Sequence, residues 1–181
     1  MKKNKGITMI TLVVTIVILL ILAGISIGAG NNIIKVSELE NLKTNMLLIK
    51  VKGKEYVENA NFNLGTNIDK VTDEEKNNRV QKAKGELKGE EIQEGAIFLE
   101  NTNITTETIL EENANYIYYY KLTTQNLIDM GLMNVKSDEK KGWYIIKYDV
   151  KNVEIEVYNT KGFEKEETKY YSLNEIENLD M

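Results

Sequence analysis

Apolar and polar positions change period along this chain, and each change marks a different element. From Ile7 to Ile27 the chain is almost continuously Ile, Leu and Val, with Thr8, Thr11, Thr15, Gly24 and Ser26 interspersed. No charged residue falls between Lys5 and Lys35. As a helix this run is about 31 Å long, the thickness of a bilayer's hydrocarbon core. Its many β-branched residues disfavour a helix in water, but in lipid the backbone must satisfy its own hydrogen bonds and becomes helical.

Beyond Gly30 the period becomes three to four. Leu39, Leu42, Met46, Ile49, Gly53, Tyr56 and Ala60 form one stripe, which Val57 widens, while Glu40, Asn41, Lys52, Lys54, Glu55, Glu58 and Asn59 point elsewhere. The spacing predicts an amphipathic helix with one buried face. That face packs either on the chain's own domain or on a second copy as a coiled coil. Gly28 to Asn32, between the two halves, is a hinge or a break.

Residues 63–115 read as an acidic connector. Thr72, with Glu75 three residues on, opens a polar helix ending near Leu87. Asn61–Gly65 and Gly85–Gly95 read as loops, Ala96–Leu99 as a short strand, and Thr106–Leu110 as the start of a short helix. Residues 116–181 form a small antiparallel β domain. Thr123–Met130 is a short helix stopped by Gly131. Trp143–Val150 and Val153–Tyr158 are strands joined by a two-residue turn at Lys151-Asn152, and Asn159–Gly162 is a further turn. Lys169–Leu173 is a third strand, followed by a polar tail from Asn174.

Composition narrows the chemistry. The 181 residues include no Cys, His or Pro. That excludes disulfides, Cys or His nucleophiles, imidazole bases and Cys/His zinc sites. Without Pro there is no LPxTG-type sorting signal. The net charge of −5 is uneven: residues 1–30 hold three Lys and no acid, whereas residues 63–181 hold fifteen basic and twenty-four acidic groups. An acidic body is not a nucleic-acid partner, because phosphates demand a basic face. The acid pairs, among them Glu90-Glu91, Glu111-Glu112 and Glu166-Glu167, lack EF-hand spacing. Ser26, Ser37, Ser137 and Ser172 lie in no nucleophile motif, and no Gly-rich phosphate loop occurs. Asn103-Ile104-Thr105 is a formal glycosylation sequon. No enzyme, cofactor or metal is expected. Ten Tyr and one Trp fit either half-buried strands or an aromatic, glycan-binding platform.

Three readings of the N-terminal segment remain open on length and charge: a cleaved signal peptide, a plain signal anchor, and a processed anchor. The apolar run is longer than the ~7–15 residues of a signal peptide. Lys2, Lys3 and Lys5 hold the N-terminus in the cytoplasm and place the body outside. The boundary Lys5-Gly6 followed by Ile7-Thr8-Met9-Ile10-Thr11-Leu12-Val13-Val14 resembles the prepilin signal of type IV pilins and pseudopilins.

That resemblance implies cleavage by a prepilin peptidase between Gly6 and Ile7, N-methylation of Ile7, and filament assembly through Thr8, Thr11, Leu12 and Ile16. Residues 1–6 are then a leader, 7–30 a transmembrane or filament-core helix, and 31–62 its amphipathic second half. The implied fold is α+β, a long N-terminal helix packed on a small antiparallel sheet. The implied partners are the peptidase, other pilin-like subunits and the cytoplasmic membrane. Most of the family has Glu at the fifth mature position, where this chain has Thr11. This resembles some tip-type minor pseudopilins and a variant found in clostridia-like Gram-positive sequences. A buried terminal amine favours a counter-charge, and a hydroxyl offers only a neutral hydrogen bond. The competing expectation is an anchored extracellular binding or adhesion module that is not processed.

Overall fold

The structure, a computed structural model, describes the backbone of residues 9–93, 102 and 104–179, and side chains within those ranges from Ile33 onward. The chain divides into two units, Met1–Glu40 and Asn41–Met181. The protein is α+β, with a long N-terminal helix and a five-stranded antiparallel sheet.

Helix α1 (Met9–Leu64) runs through Gly28–Asn32 without a break. In the first unit Ile33, Ile34 and Val36 are exposed. Among the described residues no helix is long and apolar enough to cross a membrane. The run for which a span is expected, Ile7–Ile27, has no described side chains.

In the second unit the stripe is buried as its spacing predicts. Met46, Ile49, Val57, Ala60 and Leu64 are buried, and Leu42 and Tyr56 are half-buried. The partner is the chain's own sheet, which decides against the coiled coil. Gly53 brings α1 against it: a Cβ there would stand 2.6 Å from Ile146 Cδ1 and 3.0 Å from Ile155 Cδ1. Asn61 Nδ2 donates to Val150 O at 2.8 Å and Lys54 Nζ to Val153 O at 2.6 Å, fixing a hairpin tip to the helix. The helix extends through the expected loop at Asn61–Gly65 as far as Leu64, because Leu64 is still on the buried stripe. It ends at Gly65, whose φ of 70° no other residue type adopts as cheaply.

The strands β1 (Glu90–Glu91), β2 (Ile117–Leu122), β3 (Tyr144–Asp149), β4 (Glu154–Lys165) and β5 (Thr168–Ser172) pair in chain order, all antiparallel. Alternation gives the sheet two covered faces. Ile146 and Tyr148 face α1. Tyr119 and Ile145 face the other way, into a cluster with Ile92, Ile104 and Ile109, against which Ile117, Trp143 and Tyr158 pack. Ile109 belongs to α3 (Thr106–Asn113), so the sheet lies between helices.

The remaining helices follow their caps. Thr72 accepts from Glu75 N at the start of α2 (Asp73–Glu86), and Thr123 forms a capping box with Asn126 at α4 (Thr124–Asp129). Gly131, at φ 81°, stops α4 as expected.

Several expected connections differ. The β3–β4 hairpin has a four-residue loop, 150–153, rather than two residues at Lys151-Asn152, because Asp149 accepts from both Asn152 N and Nδ2 and widens the turn. Asn159–Gly162 is a bulge inside β4 and not a turn. The Asn159 side chain accepts from Lys161 N and Gly162 N, and the strand resumes pairing at Phe163. The true turn is Glu166-Glu167, with φ of 50° and 65°, the two-residue geometry that suits a twisted hairpin. Three elements stand where none is expected: the 3₁₀ turn Ile68–Lys70, β1, and α5 (Leu173–Glu177) in the polar tail. The expected strand Ala96–Leu99 lies outside the described residues.

Candidate functional site

The N-terminal residues expected to carry processing, Gly6, Ile7 and Thr8, lie outside the described residues. Thr11, Leu12 and Ile16 stand on the α1 backbone, and their side chains lie outside them too. Three other regions offer chemistry.

The first is the face of α1 opposite its buried stripe. Leu47, Leu48 and Val51 are exposed there, Val51 at 69%. Their i, i+1, i+4 spacing groups them on one helical turn. Thr44, Glu55 and Glu58 flank them and are also exposed. A single exposed Leu is ordinary, but a helical turn of three is a surface that water wets poorly.

The second is a polar network on the α3 side of the sheet. Tyr119 donates its hydroxyl to Glu112, and Lys147 Nζ pairs with the same carboxylate at 2.8 Å. Tyr158 donates to Glu156 at 2.6 Å. Burial, then the hydrogen bonds to these carboxylates, raises both phenols well above the ordinary value of 10.0. On the opposite face burial, followed by the Glu91 charge, pushes Tyr118 up to about 12. These phenols therefore stay protonated at neutral pH. No Tyr is exposed, and Trp143 is half-buried with Lys121 Nζ 4.9 Å from its ring centre. Of the two readings of the tyrosines, half-buried strands or an aromatic platform, the sheet fits the first, because pairing in the sheet turns these rings inward. Ser137 is consumed as well: its hydroxyl donates to Leu122 O and accepts from Tyr144 N. Among the described residues no group of three or more acidic side chains could hold a metal ion.

The third is a cleft of about 660 Å³ where α1 ends, lined by Asn61, Phe62, Leu64, Asn67, Ile68, Asp69, Lys70 and Lys151 among others. A short 3₁₀ turn, Ile68–Lys70, lines it, preceded by Asn67 in the left-handed region at φ 57°. Asp69 accepts from Tyr116 Oη at 2.8 Å and pairs with Lys151 at 3.2 Å and Lys76 at 3.6 Å. The Tyr116 hydrogen bond, followed by Lys151, holds its carboxyl below the usual range. Phe62, 85% exposed, stands at the rim. Sequence reading missed this cleft because Lys151 joins it from far along the chain. The one local signal was Phe62, an aromatic residue on the polar side of an amphipathic pattern.

Comparison of the chain with protein-family models, with curated proteins and with solved structures finds no match.

Proposed function

We propose that the chain is a structural subunit of a type IV pilus-like or type II secretion-like filament, matured by a prepilin peptidase after Gly6 and assembled through its N-terminal helix. The observation that carries this reading is the continuity of α1, which begins at Met9 within the uncharged apolar run and ends at Leu64 on the sheet. A helix of that kind suits a subunit whose first half is held in a bilayer and then in a bundle of like helices. Apolar packing replaces lipid in that transfer. The exposed turn at Leu47, Leu48 and Val51 supports it by extending apolar surface along α1 beyond the sheet-packed stripe. The partners are the peptidase, other pilin-like subunits and the cytoplasmic membrane. The N-terminus lies inside and the α+β body outside. The role is structural rather than catalytic.

The test is an intact mass with N-terminal fragmentation on protein extracted from membranes of cells with their own peptidase. A chain beginning at N-methylated Ile7 is expected, and Gly6→Leu is expected to abolish that maturation. A chain retaining Lys2, Lys3 and Lys5 would refute the reading. It would favour an anchored module, an alternative to which Thr11 lends weight because its hydroxyl cannot neutralise a terminal amine.

A further inference from the structure

We propose that the cleft at the end of α1 binds an anionic saccharide, its ring face on Phe62 and its acid group between Lys70 and Lys151. The volume, about 660 Å³, falls within the ~300–1,000 Å³ of small-molecule sites. Phe62 lies at its rim with 85% of its surface in water. The free chain thus forgoes the gain of burying this ring. Leu64 and Ile68 give the cleft an apolar lining, while Asn61, Thr66 and Asn67 supply amide and hydroxyl groups around it. A pyranose offers the matching surface, an apolar C–H face with polar hydroxyls at its edge.

Charge selects the acid. The chain is acidic overall, yet the cleft holds two lysines against one aspartate. Lys70 makes no ion pair among the described residues and is exposed. Lys151 is half in water and shares Asp69 with Lys76. Both cations can meet a carboxylate or phosphate without breaking a buried pair.

The walls are also held in shape. Of the non-glycine residues with positive φ among the described residues, Asn67 at 57° lines the cleft, Tyr116 at 65° bonds its Asp69, and Val153 at 58° belongs to the loop that carries Lys151. Such backbone is strained and persists only where surroundings enforce it. The enforcement is visible. Val150 N donates to Tyr116 O at 3.1 Å, Tyr116 Oη to Asp69, Asn61 Nδ2 to Val150 O, and Lys54 Nζ to Val153 O. A cleft fixed this way loses little entropy on closing around a ligand.

The inference does not rest on the filament reading, and the N-terminal mass leaves it untouched. The full chain, in mild detergent micelles, is titrated calorimetrically with tetragalacturonate and with uncharged maltotetraose. The uronate is expected to bind at least about tenfold more tightly, with affinity falling as salt rises. Phe62→Ala is expected to weaken it about tenfold or more, and Lys70→Gln about threefold or more, while Met133→Ala, an exposed apolar residue outside the cleft, changes nothing. No heat with uronate up to about 10 mM, equal binding of both sugars, or an unaffected Phe62→Ala variant would each overturn the proposal. Sedimentation of the same variants covers the other occupant. Loss of self-association in Phe62→Ala, without uronate binding to the parent chain, would assign the cleft to a second copy and also overturn it.

Discussion

Gly53 sets how closely α1 approaches the sheet, and replacing it tests the layered packing directly. An alanine Cβ would lie 2.6 Å from Ile146 Cδ1, 3.0 Å from Ile155 Cδ1 and 3.6 Å from Tyr148 Cε1. Carbon atoms attract best at roughly 3.5–4.0 Å, so Ile146 must withdraw its methyl by about 1 Å. Ile146 is fully buried and has little room to do so. Overpacking of this kind costs about 1–3 kcal/mol. Against it, alanine gains about 1 kcal/mol of helix propensity over glycine. Gly53→Ala is therefore expected to destabilise the fold by about 1 kcal/mol, and Gly53→Val by about 3 kcal/mol, since a β-branched side chain adds two more carbons to the clash. Gly85, in the last turn of α2, has nothing within 4 Å of the same atom. Gly85→Ala should stabilise by up to about 1 kcal/mol. The assay is urea unfolding of the full chain in mild detergent, followed by Trp143 fluorescence. Opposite shifts in midpoint are expected. Equal upward shifts would refute the close approach of α1 to β3 and β4.

Two further predictions concern pH. Burial raises Tyr118 to about 12, and burial raises Tyr119, Tyr120, Tyr148 and Tyr158 as well, so the unfolded chain loses these protons first. Stability present below the ordinary value of 10.0 is then lost as pH rises above it. Absorbance at 295 nm should show most tyrosines ionising together with alkaline unfolding, and a smooth titration of all ten near pH 10.0 in folded protein would refute the burial. Glu175 behaves oppositely: burial pulls its pKa upward, but donation from Ser172 N, Tyr171 N and Ser172 Oγ outweighs burial and lowers it. Its stabilisation is full above the ordinary 4.5 and disappears as pH falls through the lowered value. The Ser172 amide resonance should titrate with a midpoint below 4.5 and stop titrating in Glu175→Gln, whereas a midpoint at or above 4.5 would count against the cap.

What was legible in the sequence follows from where each element keeps its information. The α1 stripe could be read because burial on a sheet demands 3-4 spacing over many turns, and Met46 through Leu64 supply it. Helices α2 and α4 carried local punctuation in Thr72, Thr123 and Gly131. The tail carried it too, unread: Ser172 and Glu175 form a capping box around Leu173 and Ile176, both buried. Strand β1 had no signal, since two glutamates carry no apolar alternation; Glu90 pairs with Lys121 through backbone and an ion pair of 2.7 Å, and Ile92 behind them completes the ladder to Tyr119 O at 2.8 Å. Asn159 and Gly162 have turn chemistry, but a side-chain cap on a strand uses the same residues as a turn. Glu166-Glu167 was missed for the converse reason, because nothing in glutamate announces a positive φ. The cleft required Lys151 beside residues 61–70, a proximity that only the tertiary fold creates.

The two faces of α1 in the second unit bear on the filament reading together. The sheet satisfies one face with Ile146, Ile155 and Tyr148, and Gly53 lets it do so at short range. Leu47, Leu48 and Val51 on the other remain exposed. The fold could have placed Glu or Lys there at no cost to the core, as it does at Lys52, Glu55 and Glu58. Apolar residues at these three positions leave apolar surface in water and cost the isolated domain solubility. A second apolar surface would offset that cost, as it would for the uncharged run earlier in the same helix. On the filament reading proposed above, a bundle of parallel copies would meet both apolar stretches of α1, whereas the anchored-module reading would leave Leu47, Leu48 and Val51 in water.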